Sequence, residues 1–123
     1  MDIYREELID HYHNPRNYGA MIDANVTIEL ENISCGDRIQ MWVKIENGLI
    51  KEISFEGEGC AVAIASASIL SDYAKGKTTK ELIGLKLEDF LKMLKVELTI
   101  SRIKCASLSI ETLKKALNSV DHS

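Results

Sequence analysis

From Val26 the apolar residues of this chain recur at every second position, and from Cys60 they recur at helical spacing. This change of period limits the fold more than any other feature. Val26, Ile28 and Leu30 alternate with polar residues, and Ile39, Met41, Val43 and Ile45 do the same. A period of two lines up apolar side chains on one face of a strand. The turn Glu46-Asn47-Gly48 contains Asn-Gly, the strongest short hairpin signal, and a third strand follows in LIKEISFEG. Three antiparallel strands with one apolar face need a cover. The second half of the chain supplies it. CAVAIASASILSDYAKG reads as a helix opened by Cys60, with Gly76 as its C-cap. Thr78 to Glu81, TTKE, fits a capping box, and LEDFLKML fits a short amphipathic helix. ASLSIETLKKALNSV closes the chain with Leu108, Thr112, Leu113, Ala116, Leu117 and Val120 along one face. Ahead of the strands, YREELIDHYHN sets Tyr4, Leu8, Ile9 and Tyr12 at helical spacing and stops at Asn14-Pro15. The expected class is α+β: a three-stranded antiparallel sheet packed against helices. No repeat, linker or low-complexity segment interrupts residues 1–123, which are expected to form a single domain.

Composition narrows the function. Hydrophobic residues make up 46% of the chain, enough for a core without disulfide staples. The net charge of −4 argues against a sequence-independent grip on nucleic acid. No run approaches the roughly 18 apolar residues that a membrane span needs. The acidic start MDIYREELID lacks the basic and apolar regions of a secretion signal. The expected location is the cytoplasm.

That location bears on the cysteines, Cys35, Cys60 and Cys105. Cytosolic thiols usually stay reduced, and an odd count cannot pair completely within one chain. No C-x-x-C occurs, so a shared task would require the fold to bring them together across 25 and then 45 positions. Cys35 falls at a turn between strands, Cys60 opens a helix after Gly57-Glu58-Gly59, and Cys105 is expected just before or in the first turn of the last helix. A helix N-terminus favours anions, and a thiol placed there ionises more readily. The small residues after Cys60 make a narrow helix that neighbours can approach. Asp37 adds an oxygen beside Cys35. Three sulfurs and one carboxylate suffice for tetrahedral zinc or for an exchangeable iron–sulfur cluster.

Other metal-like patterns are weaker. His11 and His13 form H-x-H, but helix positions two apart point to different faces, so both read as surface or capping residues. Met41, Met93 and Trp42 read as packing or strand surface.

Four ordered motifs make the chain recognisable. Asp10 to Gly19 reads DHYHNPRNYG, SCGDRI carries Cys35 and Asp37, FEGEGCAVAIASASIL carries Cys60, and RIKCASLSIETLKKAL carries Cys105. Across essentially its whole length the chain resembles the U-type iron–sulfur cluster scaffold family, which comprises IscU, SufU and the N-terminal domain of NifU. The resemblance implies the SufE/NifU-like fold. It also implies that Cys35, Cys60 and Cys105 are the thiolate ligands of a [2Fe–2S] cluster in the loaded protein and of Zn²⁺ in the resting one. Asp37 would be the fourth zinc ligand and an exchangeable cluster ligand. A cysteine desulfurase would deliver persulfide sulfur to Cys105 or Cys35, and acceptor or carrier proteins would take the finished cluster. The protein would be a monomer or a cluster-linked dimer.

The chain departs from the family pattern in three ways. Lys104 stands where IscU proteins carry a histidine before the third cysteine, which is the SufU style, and its cation would act on the site only through its field. The insertion usual in SufU proteins between the second and third cysteines is absent, with 44 residues intervening. LTISRIKC also replaces the L-P-P-V-K segment read by the dedicated Hsp70 chaperone, so the resemblance lends no support to hand-over through that chaperone. The preferred expectation is a scaffold, a carrier and not an enzyme. The alternatives are a zinc-dependent sulfurtransferase that accepts persulfide, and a small interaction domain with structural cysteines.

Overall fold

Strands β1 (Val26–Asn32), β2 (Asp37–Glu46) and β3 (Leu49–Glu58) form one antiparallel sheet in that order. The computed structural model of the chain describes residues 3–33 and 36–120, and side chains over 5–33 and 36–119. The register places Val26 opposite Val43 and Leu30 opposite Ile39, then Met41 opposite Phe55 and Val43 opposite Ile53. Asn47 and Gly48 both take positive φ, 53° and 75°, as the expected two-residue hairpin requires. Ile39, Met41, Val43, Ile53 and Phe55 are buried on one face.

Helices α2 (Ala61–Ala74) and α5 (Ile100–Val120) cover that face, α2 chiefly over β3 and α5 over β1 and β2. They also pack against each other, while α1 (Ile3–His13) lies against α2. Their alanines and serines leave α2 narrow, and it is buried nearly all round. Helices α3 (Thr79–Ile83) and α4 (Leu87–Leu94) connect the two. The capping box forms as read: Thr78 Oγ1 accepts from the Glu81 amide at 3.1 Å, and Glu81 Oε2 accepts from the Thr78 amide at 3.1 Å.

Two boundaries differ from the sequence reading. Helix α5 starts at Ile100, so Cys105 lies in its second turn and not at its start. Thr99 begins the helix: its carbonyl accepts from the Ile103 amide at 2.9 Å, and its hydroxyl from the Arg102 amide at 3.4 Å. The C-cap of α2 is Lys75; Gly76, at φ 81°, follows it and donates its N–H to the Ile50 carbonyl at 2.9 Å. Gly76 thus ties the helix exit to β3 and does not close the helix on itself.

The segment after α1 clasps α2 and the free edge of β3. Phe55 donates its N–H to the Asn17 carbonyl at 2.9 Å, and its carbonyl accepts from Gly19 at 2.8 Å. Covering a sheet edge in this way removes a template for unwanted pairing. Asn17 Nδ2 donates to Ser71 Oγ at 2.9 Å and to Asp72 Oδ1 at 2.8 Å. Ser68 Oγ accepts from the Arg16 amide at 2.8 Å and lies 2.7 Å from His11 Nδ1. The Arg16 guanidinium returns to Asp10 Oδ2 at 2.6 Å. Ile9 and Tyr12 stay exposed, so His11 and its polar neighbours hold this end of α1 more than its apolar stripe does.

Burial, and then the Arg16 charge, lower the pKa of His11 from its ordinary 6.5, with Asp72, Asp10 and Glu7 opposing. A folded-state pKa below the unfolded one means that protonation opposes folding. The clasp's contribution is therefore present above pH 6.5 and lost as pH falls through the depressed folded value. The melting temperature is expected to fall below about pH 6.5 more steeply in the wild type than in His11→Gln. Parallel declines, followed by circular dichroism, would place the acid sensitivity elsewhere.

Candidate metal and cluster site

Asp37, Cys60 and Cys105 come together where β2, α2 and α5 meet. A carboxylate oxygen and the two Sγ atoms all lie within 4.8 Å of one another. Asp37 is the first residue of β2 and is buried. Cys60 is the N-cap of α2. Cys105 projects from the second turn of α5 and is also buried. The Cys60 amide donates to Asp37 Oδ1 at 3.0 Å, while Asp37 Oδ2 is 3.9 Å from Cys60 Sγ. Cys105 Sγ donates to the Ser101 carbonyl at 3.6 Å. Gly57 keeps β3 close to β2 beneath this cluster: a Cβ there would lie 2.7 Å from the Arg38 carbonyl oxygen.

The electrostatics of Cys105 reverse one sequence expectation. Burial first, then the adjacent Cys60 thiol and Asp37 carboxylate, push the Cys105 thiol far above its usual range. Two causes combine, because Cys105 is not at the start of α5 and its neighbours are an acid and another thiol. A metal ion entering this site must displace that proton, so its binding tightens with pH.

Three of the four expected donors are therefore brought together, and the fourth, Cys35, lies outside the described residues. Next to it, exposed Ile33 ends the described part of β1's turn, and Gly36 takes φ 74° with its N–H on the Asn32 carbonyl at 2.8 Å. Lys104 is exposed and does not join the donor cluster; it lines a groove of about 590 Å³ with Glu31, Ile33, Ser107, Leu108 and Glu111. His11 is occupied by Ser68 and His13 is exposed beside the Tyr12 ring, so neither serves this site. A second groove, of about 370 Å³, runs from Ala61 to Arg102, with Leu8, Val62, Val96 and Leu98 in its lining. The sequence held no local signal for it, because its walls come from three separated segments. Two soft sulfurs and one hard oxygen suit zinc or iron–sulfur chemistry far better than calcium or magnesium.

The profile of the NifU-like N terminal domain family matches residues 3–122. The chain belongs to this family. Among relatives of this NifU-like domain, the zinc-dependent sulfurtransferase SufU of Bacillus subtilis is 33% identical over 94% of the chain and 89% of that protein. The iron–sulfur cluster assembly scaffold protein IscU of Thermotoga maritima is 32% identical over 96% of the chain and 94% of that protein. The crystal structure of a putative iron–sulfur cluster assembly scaffold protein for the SUF system from Fervidobacterium islandicum superposes with a TM-score of 0.78 at 26% identity, covering 91% of this chain and 94% of that one. The NifU-like domain thus has the expected fold class, and its relatives carry both names, scaffold and sulfurtransferase.

Proposed function

We propose that this protein is a cytoplasmic scaffold on which a [2Fe–2S] cluster is built from iron and desulfurase-derived sulfur and then passed to acceptor proteins. The convergence of Asp37, Cys60 and Cys105 within 4.8 Å carries this reading. Cys35 completes the donor set as the third thiolate. Sulfur arrives as a persulfide on a cysteine desulfurase. Cys105 or Cys35, once deprotonated, attacks the terminal sulfur; the new S–S bond forms as the donor's S–S bond breaks, and the donor cysteine leaves as a thiolate. Asp37 contributes one hard oxygen among soft sulfurs, which keeps the cargo exchangeable. Zinc occupies the same donors in the resting protein.

The test is the lifetime of a reconstituted cluster. In Asp37→Ala the cluster absorption is expected to decay more slowly in air than in the wild type. Faster decay would remove the release role and leave Asp37 an ordinary ligand.

A second reading, a zinc-dependent sulfurtransferase, is favoured by Lys104 and by the SufU relative. A charged lysine cannot ligate, whereas a neutral histidine can. Desulfurase turnover measured with zinc-loaded, apo and cluster-loaded protein separates the two, since only the transferase needs zinc for stimulation.

A further inference from the structure

The register that ends with Arg38 opposite Glu58 sets Gly59 across from Asp37, one step beyond the last pair. Facing residues of an antiparallel pair project side chains to the same side of the sheet. Here only one of the two has a side chain, and it bends over the other. Gly59 has φ 143°, and a Cβ built on it would overlap Asp37 Oδ1 and lie 2.8 Å from Cγ and 3.0 Å from Cα. The carboxylate occupies the space that any other residue at 59 would fill. From there Oδ1 takes the Cys60 amide at 3.0 Å, and Oδ2 is left on the Cys60 Sγ side at 3.9 Å. One oxygen is pinned by the backbone and the other remains as a single donor. Burial of a carboxylate is costly unless its lone pairs are met, so this geometry depends on that amide being within reach.

We infer that Gly59 is a positioning residue for Asp37: its missing side chain, with the Cys60 amide beside it, places the carboxylate in the metal site and limits it to one donor oxygen. The inference rests on the reading of Asp37 as a ligand.

Cobalt(II) in place of zinc reports the donor set through its ligand-field bands, independently of any cluster or sulfur-transfer activity. Four variants of the full chain are compared with the wild type: Asp37→Ala, Gly59→Ala, the double variant, and Gly76→Ala. Gly76 has φ 81° and open space where a Cβ would go, so Gly76→Ala introduces backbone strain without touching the site. Gly59→Ala is expected to shift the bands as Asp37→Ala does and to lower cobalt affinity by the same factor, more than the roughly 100-fold that loss of an outer hydrogen-bond partner can cost. The double variant should match either single one, and Gly76→Ala should keep the wild-type spectrum. A folded Gly59→Ala with wild-type bands, alongside shifted bands in Asp37→Ala, overturns the positioning role. Wild-type bands in Asp37→Ala overturn the ligand reading itself. Gly59→Ala is expected to lose more stability than the double variant, in which only the backbone strain at φ 143° and the 3.0 Å approach to the Asp37 Cα remain; equal losses in the two also overturn the inference.

Discussion

Cys105→Ser and Cys60→Ser are each expected to lower zinc affinity by more than the roughly 100-fold that loss of an outer hydrogen-bond partner can cost. Each change removes a ligand outright. A serine hydroxyl is not ionised at neutral pH and is a harder donor than a thiolate, so it does not substitute for sulfur toward zinc or iron. The fold should survive. Cys105 donates weakly to the Ser101 carbonyl at 3.6 Å, a bond that a hydroxyl can also make, and the residue volume changes little. Chelator competition with the purified variants, together with metal analysis, measures the effect. Zinc retained at wild-type affinity in either variant would remove that cysteine from the site.

The largest effect on the fold is expected at Phe55. Its ring is fully buried and meets Tyr18 edge-on, with centroids 5.2 Å apart at 79°. Its backbone also carries the two backbone–backbone hydrogen bonds that attach Asn17 and Gly19 to the edge of β3. Phe55→Ala should cost about 3–5 kcal/mol, the range for emptying a buried aromatic site. For a domain of this size that lowers the melting temperature by roughly 10–20 °C. Loss of less than about 1 kcal/mol in urea unfolding would show that the core collapses around the missing ring far better than such sites usually do.

Much of this architecture was legible in the sequence, and the illegible parts share a cause. The strands, the Asn47-Gly48 hairpin, the Thr78–Glu81 capping box and the opening of α2 at Cys60 all depend on neighbours in sequence, and each was read correctly. The start of α5 was missed because its first turn, Ile100 to Ile103, mixes β-branched, polar and basic residues without an apolar stripe. Thr99, whose hydroxyl takes the Arg102 amide, was the available signal. That error made Cys105 look like a helix-terminal thiol, when it is a buried one. The clasp of His11, Arg16 and Asn17 on Ser68, Ser71 and Asp72 spans more than 50 positions of sequence, and polar tertiary contacts leave no periodic trace. DHYHNPRNYG was recognisable as a family motif, but its work as a fastening came only with the three-dimensional arrangement. Asp37 offers the opposite lesson. Its role as a donor was expected, but a carboxylate beside a turn would ordinarily be exposed. Its burial depends on the glycine across from it.

The most direct test of the scaffold is anaerobic reconstitution with ferric iron and sulfide, read by visible absorption and by iron and sulfide analysis, on the wild type and on a variant with Cys35, Cys60 and Cys105 all replaced by serine. Stable [2Fe–2S] absorption with matching iron and sulfide is expected in the wild type, and none in the triple variant. No stable cluster in the wild type, together with desulfurase stimulation seen only when zinc is bound, would contradict it in favour of sulfur transfer.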